Sequence, residues 1–483
     1  MADSELKERT AKGLFWGGLS NLWQLLLNVA FGIYLARVLS PEDYGLMAMI
    51  AIYCVLAQVL QEGGFVPALI NRKQIVAEDY NAVFWFNLMI SVVCYLVLFI
   101  FAPLIARFNH HPELTSLCRW NFLGFILIGL GTSQKAFLMK KLMVREMAIV
   151  NLIAIIVSGT VAIVLAYWGF GYWALAVQGL ILGGLTSAGY WFCSTWKPSF
   201  QFRFQPIREM ISFSIKMLVT GLVGNMTATL MQTFLGRYST ADQAGFYNNS
   251  NKWNSIGTTL LNGMINSVAQ PVLAEVVDEK QRQLRVFRKM IRFAAFLSFP
   301  AMLGLAFIAP EFIEVTITDK WAESIVLLQV LCIGGSLLPM VSLCCGLIDS
   351  RGKAGIHMWI NITFFLLTLA VIFLLYPFGI VRMVIGLSAL NLLLLLVWTA
   401  FVCRETGYSY GKLAIDLIPF LGSAVASIAT TWFLTQGIGN IYLRLVAKIA
   451  VTAALYFGVM RLSGAIIFKE SMQFIVSKLK RHE

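Results

Sequence analysis

Charge is scarce in this chain. Only 13% of its 483 residues are Asp, Glu, Lys or Arg, about half the share of an average soluble protein. With 59% apolar residues and a mean hydropathy of +0.76, that scarcity excludes a soluble enzyme, a secreted disulfide scaffold and a nucleic-acid binder. Histidine is rarer still: His110, His111, His357 and His482 make no metal set. The eight cysteines, among them Cys54, Cys94, Cys332, Cys344 and Cys345, never take a metal-type spacing and read as small core residues. GxSxG, Walker A, HExxH and paired CxxC patterns are missing too, so no enzymatic chemistry, metal or cofactor is expected. A cleavable signal peptide is not evident, because the charged start from Asp3 to Lys12 runs into a full-length apolar segment.

Long apolar runs are what the chain does have. They lie at Phe15–Ala36, Leu46–Ile70, Val83–Ile105, Leu117–Thr132, Met147–Tyr167, Trp173–Phe192, Ile211–Leu235, Tyr247–Val272, Phe293–Ile308, Ile325–Leu347, Ile356–Leu375, Val381–Phe401, Leu413–Phe433 and Ile441–Phe457. A bilayer core of ~30 Å takes about 20 residues per helix. The sequence therefore predicts an all-α polytopic membrane protein of about fourteen transmembrane helices. The fourth and ninth runs are short and the second is long, so tilts and kinks must differ among them. Pro67, Pro271, Pro300 and Pro339 fall in or beside runs, where the hydrogen bonds they remove need partners from neighbouring helices.

The net charge of +13 is explained by topology rather than by nucleic acid. If the N terminus is cytoplasmic, 27 Lys and Arg residues fall on cytoplasmic segments and nine on the opposite side, with Lys216 inside a span. That asymmetry predicts a multi-pass protein with both termini in the cytoplasm. Every loop is short, which leaves no room for a soluble catalytic domain.

An internal repeat is visible at an offset of 200. Leu35-Ala36-Arg37 is answered by Leu235-Gly236-Arg237, Gly45 by Gly245 and Gly63 by Gly263, while Ser40 and Asp43 are answered one residue short by Ser239 and Asp242. A shared grammar of span and turn would give some of these identities, but they sit where a duplication of six spans would put them. Six is even, so both copies enter the membrane from one side. That is a parallel repeat, an arrangement that places a substrate route between two halves. The expected organisation is an N-lobe over 1–192, a cytoplasmic linker over 193–210, a C-lobe over 211–401, and two further helices with a tail over 402–483.

Polar groups inside spans are costly and mark cavities or partner helices. In the eighth span Asn248, Asn251, Lys252, Ser255, Thr259, Asn262, Asn266 and Gln270 recur every three or four residues and form one helical stripe. The first span carries Asn21, Gln24 and Asn28; the seventh carries Lys216, Thr220, Asn225, Thr229 and Gln232. Two readings stand: a hydrated cleft, or interhelical hydrogen bonding worth ~0.6 kcal/mol per contact. Lys216 either attracts a phosphate or acidic sugar or snorkels to the interface. Glu62 either carries a proton or sodium ion or pairs with a cation. Arg37 and Arg237 at the outer span ends, and Arg72 at an inner one, are candidates for a pyrophosphate or for lipid headgroups.

Several short stretches carry a family likeness. They are Gly13-Leu14-Phe15-Trp16, Leu35-Ala36-Arg37 through Tyr44-Gly45, Glu62-Gly63-Gly64-Phe65 through Ala68-Leu69-Ile70-Asn71-Arg72, Pro271 through Leu284-Arg285, Phe299-Pro300-Ala301, and Lys320-Trp321 with Leu327, Leu328 and Leu331. In order and spacing over some 320 residues they resemble the Wzx-type polysaccharide exporters (the WzxC-like, colanic-acid branch), of the superfamily shared with MATE multidrug exporters and the lipid II flippase MurJ. Gly63 stands where that family more often has an aromatic. The resemblance implies two six-helix lobes around a cavity, two extra helices and alternating access. Its implied cargo is an undecaprenyl-pyrophosphate-linked oligosaccharide, flipped for exopolysaccharide, capsule or O-antigen synthesis, with other polysaccharide-assembly proteins as partners. Coupling to a proton or sodium gradient is implied by the superfamily alone. An ion-coupled drug or cation antiporter, and a membrane enzyme acting on the same lipid-linked sugar, are the competing expectations.

Overall fold

A computed structural model of the chain describes residues 2–62, Leu69, 75–141, 143–200, 205–275, 279–351 and 353–462. Among them there is no strand. The helices are α1 (Ala2–Val38), α2 (Pro41–Glu62), α3 (Ala77–Asn109), α4 (Leu114–Asn121), α5 (Leu123–Lys140), α6 (Val144–Tyr167), α7 (Tyr172–Cys193) and α8 (Gln205–Tyr238). After these come α9 (Ala241–Glu275), α10 (Lys280–Ile317), α11 (Glu323–Gly335), α12 (Leu338–Ser350), α13 (Ala354–Leu375), α14 (Ile380–Thr406), α15 (Tyr410–Thr435) and α16 (Ile441–Leu462). Lipid offers no hydrogen bonds, so each apolar run must satisfy its backbone internally, and the helix does so.

Taking α4–α5 and α11–α12 as bent single rods gives fourteen described rods, of which ten are long and apolar enough to cross a bilayer. The other four are α1, α7, α8 and α9. The fourth and ninth apolar runs look short in sequence, yet the rods that contain them are 27 and 38 residues long. Amphipathic turns extend them beyond the greasy stretch. The break between α11 and α12 is repaired by Ser298 of α10, whose hydroxyl donates to the Ser336 carbonyl at 2.7 Å. Pro339 then sits in the first turn of α12, where its missing N–H costs nothing.

The chain folds as two compact units, 1–245 and 246–483. In the first, α1 packs on α6, α7 packs on α5 and α6, and α8 runs along α2. The segment after α7 is tied down by Asn81, which accepts from the Ser199 N–H at 2.8 Å, and by Trp85, whose ring N–H donates to the Ser199 carbonyl at 2.7 Å.

In the second unit α10 is the spine, packed by α11, α15 and α16. Its two internal prolines leave the carbonyls four residues earlier without their helical donors. Both carbonyls are met from neighbouring helices: Tyr456 Oη–H donates to Phe296 at 3.0 Å, and Gln329 Nε2 donates to Ala306 at 3.2 Å. Tyr456→Phe should therefore strand a buried carbonyl and destabilise the unit by about 1–2 kcal/mol, read as a lower melting temperature in detergent.

Two charge clusters pin α15 and α16 to this spine. Near its start, Arg288 and Arg292 hold the fully buried Asp416 of α15. Near its end, Glu311 meets Lys448 at 2.7 Å and Arg444 at 3.0 Å, both from α16. About 21 residues separate the clusters along α10, roughly 30 Å at ~1.5 Å per residue. They thus flank a hydrocarbon core instead of sitting in its middle.

Candidate functional site

The polar first span finds its setting in a cavity of about 800 Å³ within the first unit, walled by α1, α5, α6 and α7. Gln24 and Asn28, one turn apart on α1, line one side. Opposite them stand Thr132 and Lys135 of α5, Asn151 of α6, and Thr186, Ser187 and Tyr190 of α7. The apolar part of the wall is supplied by Ile128, Met139, Met147, Ile155 and Leu182.

Small residues make the space. A side chain at Gly131 would meet the Ser187 backbone at 2.8 Å, and one at Gly183 would meet Ile128 at 3.0 Å. The rim is organised by hydrogen bonds: Tyr190 Oη–H donates to Asn151 Oδ1 at 2.9 Å, and Gln24 Nε2 donates to Ser20 Oγ at 2.7 Å. Thr132 and Thr186 each turn a hydroxyl back to the carbonyl four residues earlier. Each hydroxyl oxygen can still accept a hydrogen bond.

Lys135 is half-buried and, among the described residues, has no ion-pair partner. Among the described residues no carboxylate lines the cavity. An ammonium in a membrane-embedded polar pocket with no anion of its own is expensive to maintain, and an anionic ligand would offset that cost. In the sequence Lys135 belongs to a basic cluster with Lys140, Lys141 and Arg145 and reads as a topology signal. Its position one turn inside the end of α5, three residues after Thr132, was the available clue.

The other candidates fall in different places. Asn21 is exposed and outside the cavity wall. On α8 Asn225 is exposed and donates to the Gly221 carbonyl at 2.8 Å; the side chains of Lys216 and Thr220 lie outside the described residues, as do those of Glu62, Arg72, Asn266 and Gln270. On α9 Thr259 is exposed, and Asn251, Lys252 and Asn262 are half-buried. That helix also has a second polar face the periodicity did not separate. Asn249, Ser250, Asn254 and Thr258 are buried, and Ser250 Oγ–H donates to the Ser324 carbonyl at 2.9 Å. Oδ1 of Asn249, Asn254 and Asn262 has no hydrogen-bond partner among the described residues, a state that calls for water or a polar ligand. Arg37 is exposed at the end of α1. Arg237 is held over the Phe108 ring at 5.0 Å and against His110.

The sequence profile of the family described as polysaccharide biosynthesis protein matches residues 34–326, more than half of the chain. The chain belongs to that family. Among its relatives is the lipopolysaccharide biosynthesis protein WzxC of Escherichia coli, 24% identical over 364 residues, which cover 74% of this chain and 73% of WzxC. The succinoglycan biosynthesis transport protein ExoT of Rhizobium meliloti is 24% identical over 447 residues, covering 91% and 90%. In three dimensions the chain is similar to the lipid II flippase MurJ in an inward closed conformation, with a TM-score of 0.74, 13% identity and coverage of 94% and 99%. It is also similar to an inward-facing MATE family multidrug transporter, with a TM-score of 0.66, 15% identity and coverage of 80% and 95%. The fold is thus that of the MurJ and MATE transporters, in a multi-pass membrane protein of polysaccharide biosynthesis.

Proposed function

We propose that this member of the polysaccharide biosynthesis family carries undecaprenyl-pyrophosphate-linked oligosaccharide units across the bacterial cytoplasmic membrane by alternating access. These units supply exopolysaccharide, capsule or O-antigen assembly. The observation that carries the reading is the cavity of about 800 Å³ lined by amides, hydroxyls and the Lys135 ammonium, which has no ion-pair partner among the described residues. A sugar headgroup exchanges its hydration for such donors and acceptors, and its phosphate or acidic substituents find Lys135. The prenyl chain stays in lipid. A wall whose described residues include Lys135 and no carboxylate favours a neutral or anionic cargo over the organic cations of a MATE-type antiporter.

In this scheme the termini are cytoplasmic, the lobes 1–192 and 211–401 are the moving parts, and a proton or sodium gradient drives net movement without a cofactor. Transport, rather than bond-making on the same lipid, is the activity, and other polysaccharide-assembly proteins take over the delivered units. Deleting the gene should leave lipid-linked repeat units accumulated on the cytoplasmic leaflet, measured by their protection from an externally added glycosidase or lectin. Normal appearance of those units on the outer leaflet would sink the proposal.

A further inference from the structure

Two corners of the chain, 200 residues apart, lock into each other. α1 ends at Val38 and α2 begins at Pro41; α8 ends at Tyr238 and α9 begins at Ala241. The backbones repeat in detail, with Leu39 N–H donating to Leu35 at 2.8 Å and Ser239 N–H to Leu235 at 2.9 Å.

A β-carbon built on Gly45 would stand 2.6 Å from the carbonyl carbon of Ala241 and 3.0 Å from its Cα. One built on Gly245 would stand 2.7 Å from the carbonyl carbon of Pro41 and 3.2 Å from its Cα. In both cases the carbonyl oxygen is nearer still. Residue 45 of the first corner meets 241 of the second, and 245 meets 41. Such an exchange of partners is what a local two-fold axis produces.

Both glycines lie inside helices, where glycine is disfavoured, and neither has a left-handed φ. Close approach is therefore the reason for glycine at these positions. Each Cα–H faces the other corner's carbonyl, the weak C–H···O pairing found where helices cross without side chains between them. A backbone-to-backbone contact of this kind forms only at very short range and interlocks no bulky groups, so it can part and re-form.

We propose that the reciprocal Gly45–Gly245 crossing is the closure at the outer end of the transport route, meeting when the route is shut outside and parting when it opens. This rests on the transport reading and orientation given above. A side chain at either glycine should hold the corners apart. Because the contact is reciprocal, the two positions should matter equally, and a double variant should lose little beyond either single one.

The test uses the full-length protein in membranes, with its native cysteines replaced and Pro41→Cys and Ala241→Cys introduced. A short, reducible bifunctional thiol reagent should join the two cysteines efficiently. Gly45→Leu and Gly245→Leu should each lower that yield at least about fivefold, by similar factors, and lower export in parallel. Joining the corners should stop export until the link is reduced. Should the leucine variants fail to accumulate, Gly45→Ala and Gly245→Ala serve instead, since alanine favours the helix itself and a loss there reports the crossing.

Undiminished cross-linking in both substituted proteins, or full export by the linked protein, would overturn the inference. A glycine-dependent cross-link in a protein that moves no lipid-linked sugar would leave the crossing as a moving closure and overturn only the cargo.

Discussion

Export should fall by about 100-fold when Lys135 is replaced by Glu, with the protein still present in the membrane. The expectation follows from what the ammonium does in the cavity. Among the described residues it is the one charged side chain on a wall of amides and hydroxyls, and a charge-assisted hydrogen bond to a phosphate or carboxylate there is worth about 1.5–3 kcal/mol. At ~1.4 kcal/mol per tenfold, deleting the charge in Lys135→Gln should cost roughly 10- to 100-fold in apparent affinity. Reversing it adds repulsion in a medium that screens poorly. Lys135→Arg should keep most of the activity, because guanidinium also binds phosphate.

Lys141→Glu is the control. It makes the same change of charge in the same basic cluster, but Lys141 is exposed and outside the cavity wall. A topology effect would strike both variants, whereas a cargo effect strikes only Lys135. The measurement is surface polysaccharide in a deletion strain carrying each variant, together with binding of the lipid-linked oligosaccharide to purified protein. Parent-level export by Lys135→Glu would refute the assignment.

How the sequence relates to this structure depends on the range of the interactions concerned. Helices were legible because burial in lipid is a local demand: each run of about 20 apolar residues must close its own hydrogen bonds. The repeat was legible at Leu35–Gly45 and Leu235–Gly245, since a corner is a local structure with a fixed spacing. Stripes on one helix were legible as well, which is how Gln24 and Asn28 were found.

The rest of the cavity was not. Thr132, Lys135, Asn151, Thr186 and Tyr190 come from three helices, with no more than two of them on any one; only packing brings them to one wall. On α9 a 3.6-residue period could not separate an accessible polar face holding Ser255 and Thr259 from a buried one holding Asn249, Ser250 and Asn254. Both faces are polar, so the pattern carries no contrast between them. Proline need was legible at Pro300, but the donor that answers it, Tyr456, is 160 residues away.

Removing the carboxylate of Asp416 should destabilise the protein more than any other single charge change in the second unit. Arg288 binds it through two nitrogens at 2.8 Å, Arg292 through one at 2.6 Å, and the Tyr408 hydroxyl donates at 3.1 Å. Burial beside this carboxylate pushes the Tyr408 phenol up, so it stays a donor. The Asp416 side chain is fully buried, while Arg288 and Arg292 are 28% and 36% exposed.

Asp416→Ala therefore leaves two guanidinium groups facing each other with only partial access to water. Breaking a buried pair from one side costs about 3–5 kcal/mol, and the partial exposure of the arginines argues for the lower end, ~3 kcal/mol. That should appear as a fall of about 5 °C or more in the melting temperature of the detergent-purified protein, with α15 becoming accessible to protease first. Asp416→Leu combined with Arg288→Met and Arg292→Met should recover most of the loss, because an apolar replacement of the whole cluster removes the stranded charges together. If the triple variant were no more stable than Asp416→Leu alone, the cluster would not be acting as one unit, and another feature would be holding α15 to α10.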